Sequence, residues 1–242
     1  MKTAKELIQE IKNHANPEKA AALSRFFKTG AGQYGEGDVF WGLTVPVQRG
    51  VVKNFYKEIS LQELKKLLPH EVHEVRLTAL MIMVEIYRRA KTEEEKLAVV
   101  ELYLKNLAYV NNWDLVDLTA HRILGDWCLS HGWEELVRLA KTDHLWSQRV
   151  AMVSTAAFID RSRFDAPLRM ATILLHHPHD LIHKAVGWML REIGKKNYEV
   201  EYNFLKEHYS TMPRTMLRYA IERFDEPVRQ AFLKGKSVTD RF

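Results

Sequence analysis

Two stretches of the 242-residue sequence combine indoles with charged groups at helical spacing. In residues 109–121, YVNNWDLVDLTAH, Trp113 and Asp117 are four apart and share a helix face, while Asp114 is turned about 100° from it. In residues 180–196, DLIHKAVGWMLREIGKK, the positions of Lys184, Trp188, Arg191 and Lys195 follow i, i+4, i+7 and i+11. They form one basic stripe around an indole. In HLWSQRVAM, Arg149 follows Trp146 by three residues. Each feature has an ordinary reading, since a helical Trp is usually core and a Lys/Arg stripe is usually solvated surface. Gathered on one surface they would do more. A carboxylate beside aromatic faces stabilises a cation, and rows of ammonium and guanidinium groups hold phosphates.

Other candidates carry less. Gly30, Gly32 and Gly35 match the spacing of a dinucleotide-binding loop. That loop works only between a strand and a helix, and here a helix precedes it with no strand pattern nearby. A Gly-rich turn joining two helices is expected instead. His176, His177, His179 and His183 resemble metal ligands by number. Adjacent His side chains diverge by about 100° on a helix and only Asp180 lies close, so a polar turn is expected and no metal. The lone cysteine, Cys128 in ILGDWCL, reads as a small buried apolar residue and excludes a disulfide framework.

The elements that must position these residues are helices. Ala4, Ile8 and Ile11 form a stripe with Leu7 beside it, and Asn16-Pro17-Glu18 is a cap followed by Pro at a first helical position. A further helix opens at Pro46, and Ser60 with Glu63 reads as a capping box. Helices then follow over 72–90, 93–107, 113–130, 133–141, 144–160, 165–176, 180–196, 198–209, 212–224 and 226–234. A polar start followed by a long apolar run recurs about every 35–40 residues, which is the pattern of a HEAT-like α-α superhelix. The expected fold is therefore all-α, one HEAT-like domain over 1–242 with a Gly-rich loop at 28–43. In such a solenoid the inner helices line one face, so the two stripes would converge.

Composition agrees with a folded protein. Hydrophobic residues make up 46% and charged residues 28%, which excludes intrinsic disorder. The net charge of +5 permits a polyanionic partner without demanding one. The longest apolar run, residues 77–87, is too short to span a membrane, and the charged first residues do not form a secretory signal. A cytoplasmic protein is expected.

These residues resemble the AlkD-type DNA glycosylases of the DNA alkylation repair superfamily over almost the whole chain. NWDLVD (112–117), WSQR (146–149) and KAVGWMLREIGK (184–195) carry the likeness, with NPEKA (16–20) and PVQR (46–49) less specific. The resemblance implies that Trp113, Asp117 and Trp188 are catalytic. It also implies that Arg149 contacts DNA near the lesion, with Lys184, Arg191 and Lys195 holding phosphates. It further implies a glycosylase that removes 3-methyladenine and 7-methylguanine from double-stranded DNA; no lysine is placed as a Schiff-base nucleophile, so a monofunctional enzyme is expected, as a monomer without cofactor. The alternative is a HEAT-like protein that binds DNA structure without excising a base. The long GAGQYGEGDVFWG loop marks a branch distinct from the best-studied type, and this loop is expected to contact DNA or cap the helices. Phe26 stands where some members have Tyr.

Overall fold

A computed structural model describes residues 1–235. Residues 236–242 of the expected domain lie outside the described residues. The described residues pack as two compact units, Met1–Ile123 and a second from Leu124 onward. The all-α class is what the chain adopts: among the described residues there is no strand, only isolated bridges that pair Lys2 with Ile59 and Val39 with Val72.

The first unit holds α1 (Ala4–Asn13), α2 (Pro17–Phe26), α3 (Val45–Phe55), α4 (Leu61–Leu67), α5 (His73–Arg89), α6 (Glu93–Lys105) and α7 (Trp113–Asp117). Thr3 and Glu6 close a reciprocal capping box at α1, which buries Ala4, Leu7 and Ile11. Leu7, not Ile8, completes its buried stripe. Asn16 caps α2 through Lys19 N, with Pro17 at the first position as the sequence predicts. The box expected at Ser60 is only half formed. Ser60 Oγ accepts from Glu63 N, but the Glu63 carboxylate accepts from Ala4 N at 2.8 Å, exchanging a local bond for one that ties α4 to α1. Helix α5 is buried along most of its length and is the core of this unit.

The second unit holds α8 (Leu124–His131), α9 (Glu134–Ala140), α10 (Leu145–Ser154), α11 (Ala156–Asp160), α12 (Asp165–Ile173), α13 (Asp180–Lys196), α14 (Tyr198–His208), α15 (Arg214–Ala220) and α16 (Glu226–Lys234). Helix α13 is its centre and packs most extensively on α15. Gly187 permits that approach, because a Cβ there would lie 2.4 Å from Met216 O.

Two expected helices are broken. The one predicted over 113–130 ends at Asp117, passes through a 3-10 turn at Ala120–Arg122 and restarts as α8. The Thr119 hydroxyl donates to Leu115 O and pairs with the Tyr103 hydroxyl. The one predicted over 144–160 breaks at Thr155, whose hydroxyl donates to Met152 O at 2.6 Å. Threonine hydroxyls that bond back to carbonyls compete with the helical ladder and bend it.

Candidate active site

Helix α7 is a five-residue turn of helix that presents the first pair of predicted residues. Asn112 starts it by accepting from Trp113 N at 2.9 Å. Trp113 and Asp117 are both half-buried, one helical turn apart, as their spacing predicts. The Trp113 ring stacks on Phe27 at 5.1 Å between centroids, Phe27 stacks on Phe40 at 5.1 Å, and Phe40 lies against the His73 ring at 4.7 Å. Phe26, 63% exposed, meets the Trp113 ring edge-on. Aromatic pairs of this kind are worth about 0.5–1.5 kcal/mol each beyond the area they bury, enough to hold the indole in one orientation. Asp117 lies close enough to Tyr103 for its charge to be felt there. Burial pushes the Tyr103 phenol above its usual range, and the Asp117 carboxylate adds to that.

Beneath this surface runs a buried charge network. Asp114, on the other side of α7, accepts from His73 Nε2 at 2.9 Å, and the opposite ring nitrogen, Nδ1, reaches Asp38 at 3.0 Å. Arg76 donates to Asp38 at 2.6 Å and to Asn111 at 3.2 Å, and Asn112 donates to Asp38 at 3.2 Å. Burial alone would lower the pKa of His73, but the Asp114 and Asp38 carboxylates outweigh it and raise it to about 9. Burial would raise that of Asp38, and His73 and Arg76 together hold it below its ordinary value. A third buried carboxylate, Glu74, accepts from the backbone amides of Trp41, Gly42 and Leu43. Gly42 has φ +88°, and a Cβ there would lie 2.1 Å from Asn16 O, so no other residue fits that turn.

The remaining predicted residues lie in the second unit. Lys184, Trp188, Arg191 and Lys195 share one face of α13, as their spacing predicts. That face is not purely basic. Lys184 pairs with Asp180 at 2.8 Å, Lys195 with Glu192 at 2.7 Å and Arg191 with Glu222, while Trp188 Nε1 donates to Glu192 at 3.1 Å. Arg149 is only 5% exposed and donates to Leu181 O. The structure therefore gives this arginine a role inside the unit that the sequence did not suggest.

The first unit carries a cationic cavity that sequence reasoning missed. It measures about 400 Å³ and is lined by Arg49, Lys53, Lys57, Arg88, Arg89 and Arg122 against a single acid, Glu85. Three separate segments contribute to it, which is why no local run of charge announces it.

A family model described as DNA alkylation repair enzyme matches residues 7–224. The chain belongs to this family. Membership gives it a role in DNA alkylation repair as an enzyme, with DNA as substrate or partner. A solved structure described as a predicted DNA alkylation repair enzyme from Enterococcus faecalis is similar, with a TM-score of 0.69 and 22% identity over 88% of this chain and 97% of that one. At that identity the likeness bears on the fold. Among curated protein sequences none matches.

In this family member the other sequence candidates serve local structure. His179 caps α13 through Leu181 N, His177 bonds Gln148, and His183 bonds His177 O. Among the described residues no group of three or more His, Cys, Asp or Glu could hold a metal ion. Cys128 is buried, which pushes its thiol up to about 12. Among the described residues no helix is long and apolar enough to cross a membrane.

Proposed function

We propose that the protein is a monofunctional glycosylase that hydrolyses the N-glycosidic bond of cationic alkylated purines, 3-methyladenine and 7-methylguanine, in duplex DNA. The observation that carries this reading is the pairing of a half-buried carboxylate, Asp117, with the fixed indole of Trp113 on one face of α7. A purine alkylated on the ring already bears positive charge, so it departs as a neutral base when the bond from C1′ to nitrogen breaks. No acid need protonate it. Positive charge then builds on the deoxyribose, where Asp117 stabilises it and orients the water that adds to C1′ and releases its proton to solvent. Trp113 supplies an electron-rich face for that cation, and Trp188 is the second aromatic that the family resemblance implies for this role. Selectivity comes from the lability of the damaged nucleoside.

The cationic cavity of the first unit supports backbone binding most directly. Lys184, Arg191 and Lys195 each hold a carboxylate that a phosphate would replace, so each gains less. Arg149, only 5% exposed, is left with little surface to offer a phosphate. The double variant Arg49→Ala/Lys53→Ala is expected to weaken duplex binding irrespective of base sequence. Its log K against log salt slope should be shallower by about 0.9 for each phosphate that is no longer neutralised, read by titrations at several salt concentrations.

The proposed reaction is tested by incubating the protein with duplex carrying 7-methylguanine and quantifying free base. Release of the base, leaving an intact strand with an abasic site, is the expected result. Tight binding without release would favour the alternative, a protein that recognises DNA structure and leaves it unaltered. The enzyme is taken to act as a cytoplasmic monomer that needs no cofactor.

A further inference from the structure

The Gly-rich loop and α7 are far apart in sequence, yet one imidazole holds both. His73 is 1% exposed, and each of its ring nitrogens faces a carboxylate: Nδ1 meets Asp38 of the loop and Nε2 meets Asp114 of α7. Only the imidazolium can donate to both at once, because a neutral ring has one N–H. Arg76 and Asn112 bind the same Asp38 carboxylate, while the other oxygen of Asp114 accepts from Leu115 N. The backbone repeats the connection. His73 N donates to Val39 O at 2.8 Å, and Glu74 gathers the amides of Trp41, Gly42 and Leu43.

The charged groups facing His73 are Asp114 from α7, Asp38 from the loop and Arg76 from its own helix. With His73 protonated, two cations oppose two anions and the cluster is neutral. A buried ionic cluster is no more stabilising than well-packed apolar side chains of the same volume. Its value lies in direction, because hydrogen bonds of fixed geometry define one position where apolar packing tolerates several. Here the defined position is that of Asn112, which caps α7, and of Asp114 in its first turn, the two residues that flank Trp113.

We propose that His73 is a positioning residue: by bridging Asp38 and Asp114 it makes the Gly-rich loop a buttress that sets the orientation of Trp113 and Asp117. This rests on the glycosylase reading for its effect on rate, though not for its effect on structure.

His73→Gln and Asp38→Asn in the full chain test it through three measurements: single-turnover base release, duplex affinity, and amide hydrogen exchange. In His73→Gln, release should slow by about tenfold to a hundredfold, the scale of loss when a reacting group is displaced by an ångström. Duplex affinity should stay within about twofold, since no phosphate-binding cation is touched. Exchange over 38–43 and over 111–118 should rise together, with 45–55 unchanged. Asp38→Asn, which leaves His73 and Asp114 paired, should show the same coupled exchange with a smaller loss of rate. It serves if His73→Gln does not fold. Unaltered release with unaltered exchange would overturn the proposal, as would exchange that rises across the whole first unit with affinity and rate falling together. If the wild type releases no base, the glycosylase reading fails and exchange alone decides. A coupled rise then upholds the buttress, and a rise in only one segment refutes it.

Discussion

Asp117→Asn is expected to slow base release about a thousandfold while duplex affinity stays within about twofold. A carboxylate about 4 Å from a unit positive charge stabilises it by about 4 kcal/mol at an effective dielectric of about 20. Each 1.36 kcal/mol taken from a barrier is roughly a tenfold gain in rate, so losing that charge costs about three powers of ten. Asparagine keeps the shape of the side chain and removes only the charge. Asp117 is half-buried on α7, and the tight core lies on the helix's opposite side, so the melting temperature should move little. Single-turnover release from 7-methylguanine duplex measures the rate, and titration with the same duplex measures affinity. A variant that released base at the wild-type rate would place the stabilising charge elsewhere. Asp114→Asn provides the contrast. It leaves His73 with one carboxylate fewer in a buried site, where breaking an ion pair costs about 3–5 kcal/mol, so its first effect falls on stability.

That distinction between two acids three residues apart shows what the sequence makes legible. Helical periodicity alone places Trp113 and Asp117 on one face and Asp114 off it, and the structure agrees because α7 is a regular turn of helix. The same rule sets Lys184, Trp188, Arg191 and Lys195 in a row on α13. Periodicity says nothing of partners distant in sequence. Asp114 meets His73, which lies 41 residues earlier, and Asp38 meets Asn112 across 74 residues. A signal was available in HEVR, since three ionisable residues that open α5 ahead of its long apolar run must be either exposed or paired. The α13 face is less cationic than its stripe suggests, because Asp180 and Glu192 sit beside it on the same helix and Glu222 reaches it from another element. Glycines announced the loop at 28–43, but its attachment depends on Glu74 and Asp38 finding amides and an imidazole that only the fold brings near. The helix breaks at Thr119 and Thr155 were equally hidden, because a threonine that bonds back to a carbonyl is spelled like one that faces solvent.

The same network predicts how the first unit responds to alkali. His73 has an ordinary value of 6.5 and about 9 in the folded chain, where the two carboxylates overcome burial. Below pH 6.5 both folded and unfolded chains hold the proton, and the stabilisation is complete. Between 6.5 and 9 the unfolded chain releases it while the folded chain keeps it, so stability falls as pH rises, and above 9 the contribution is gone. At 1.36 kcal/mol per unit the loss is about 3 kcal/mol. Asp38 works from the acid side: its lowered value stabilises the fold above its ordinary 3.8 and loses that effect as pH falls. Glu201 in the second unit also loses stabilisation with rising pH, since burial lifts its carboxyl from 4.5 to about 8. Denaturant midpoints measured from pH 6 to 9.5 in a Glu201→Gln/Cys128→Ala background separate the histidine from the other two groups whose raised values act across this range. There the midpoint should fall steadily through the alkaline range, whereas adding His73→Gln should flatten the curve and lower it most at pH 6. A decline that survives the loss of His73 would mean that the imidazole is neutral in the fold and that only one of its two carboxylates receives a proton.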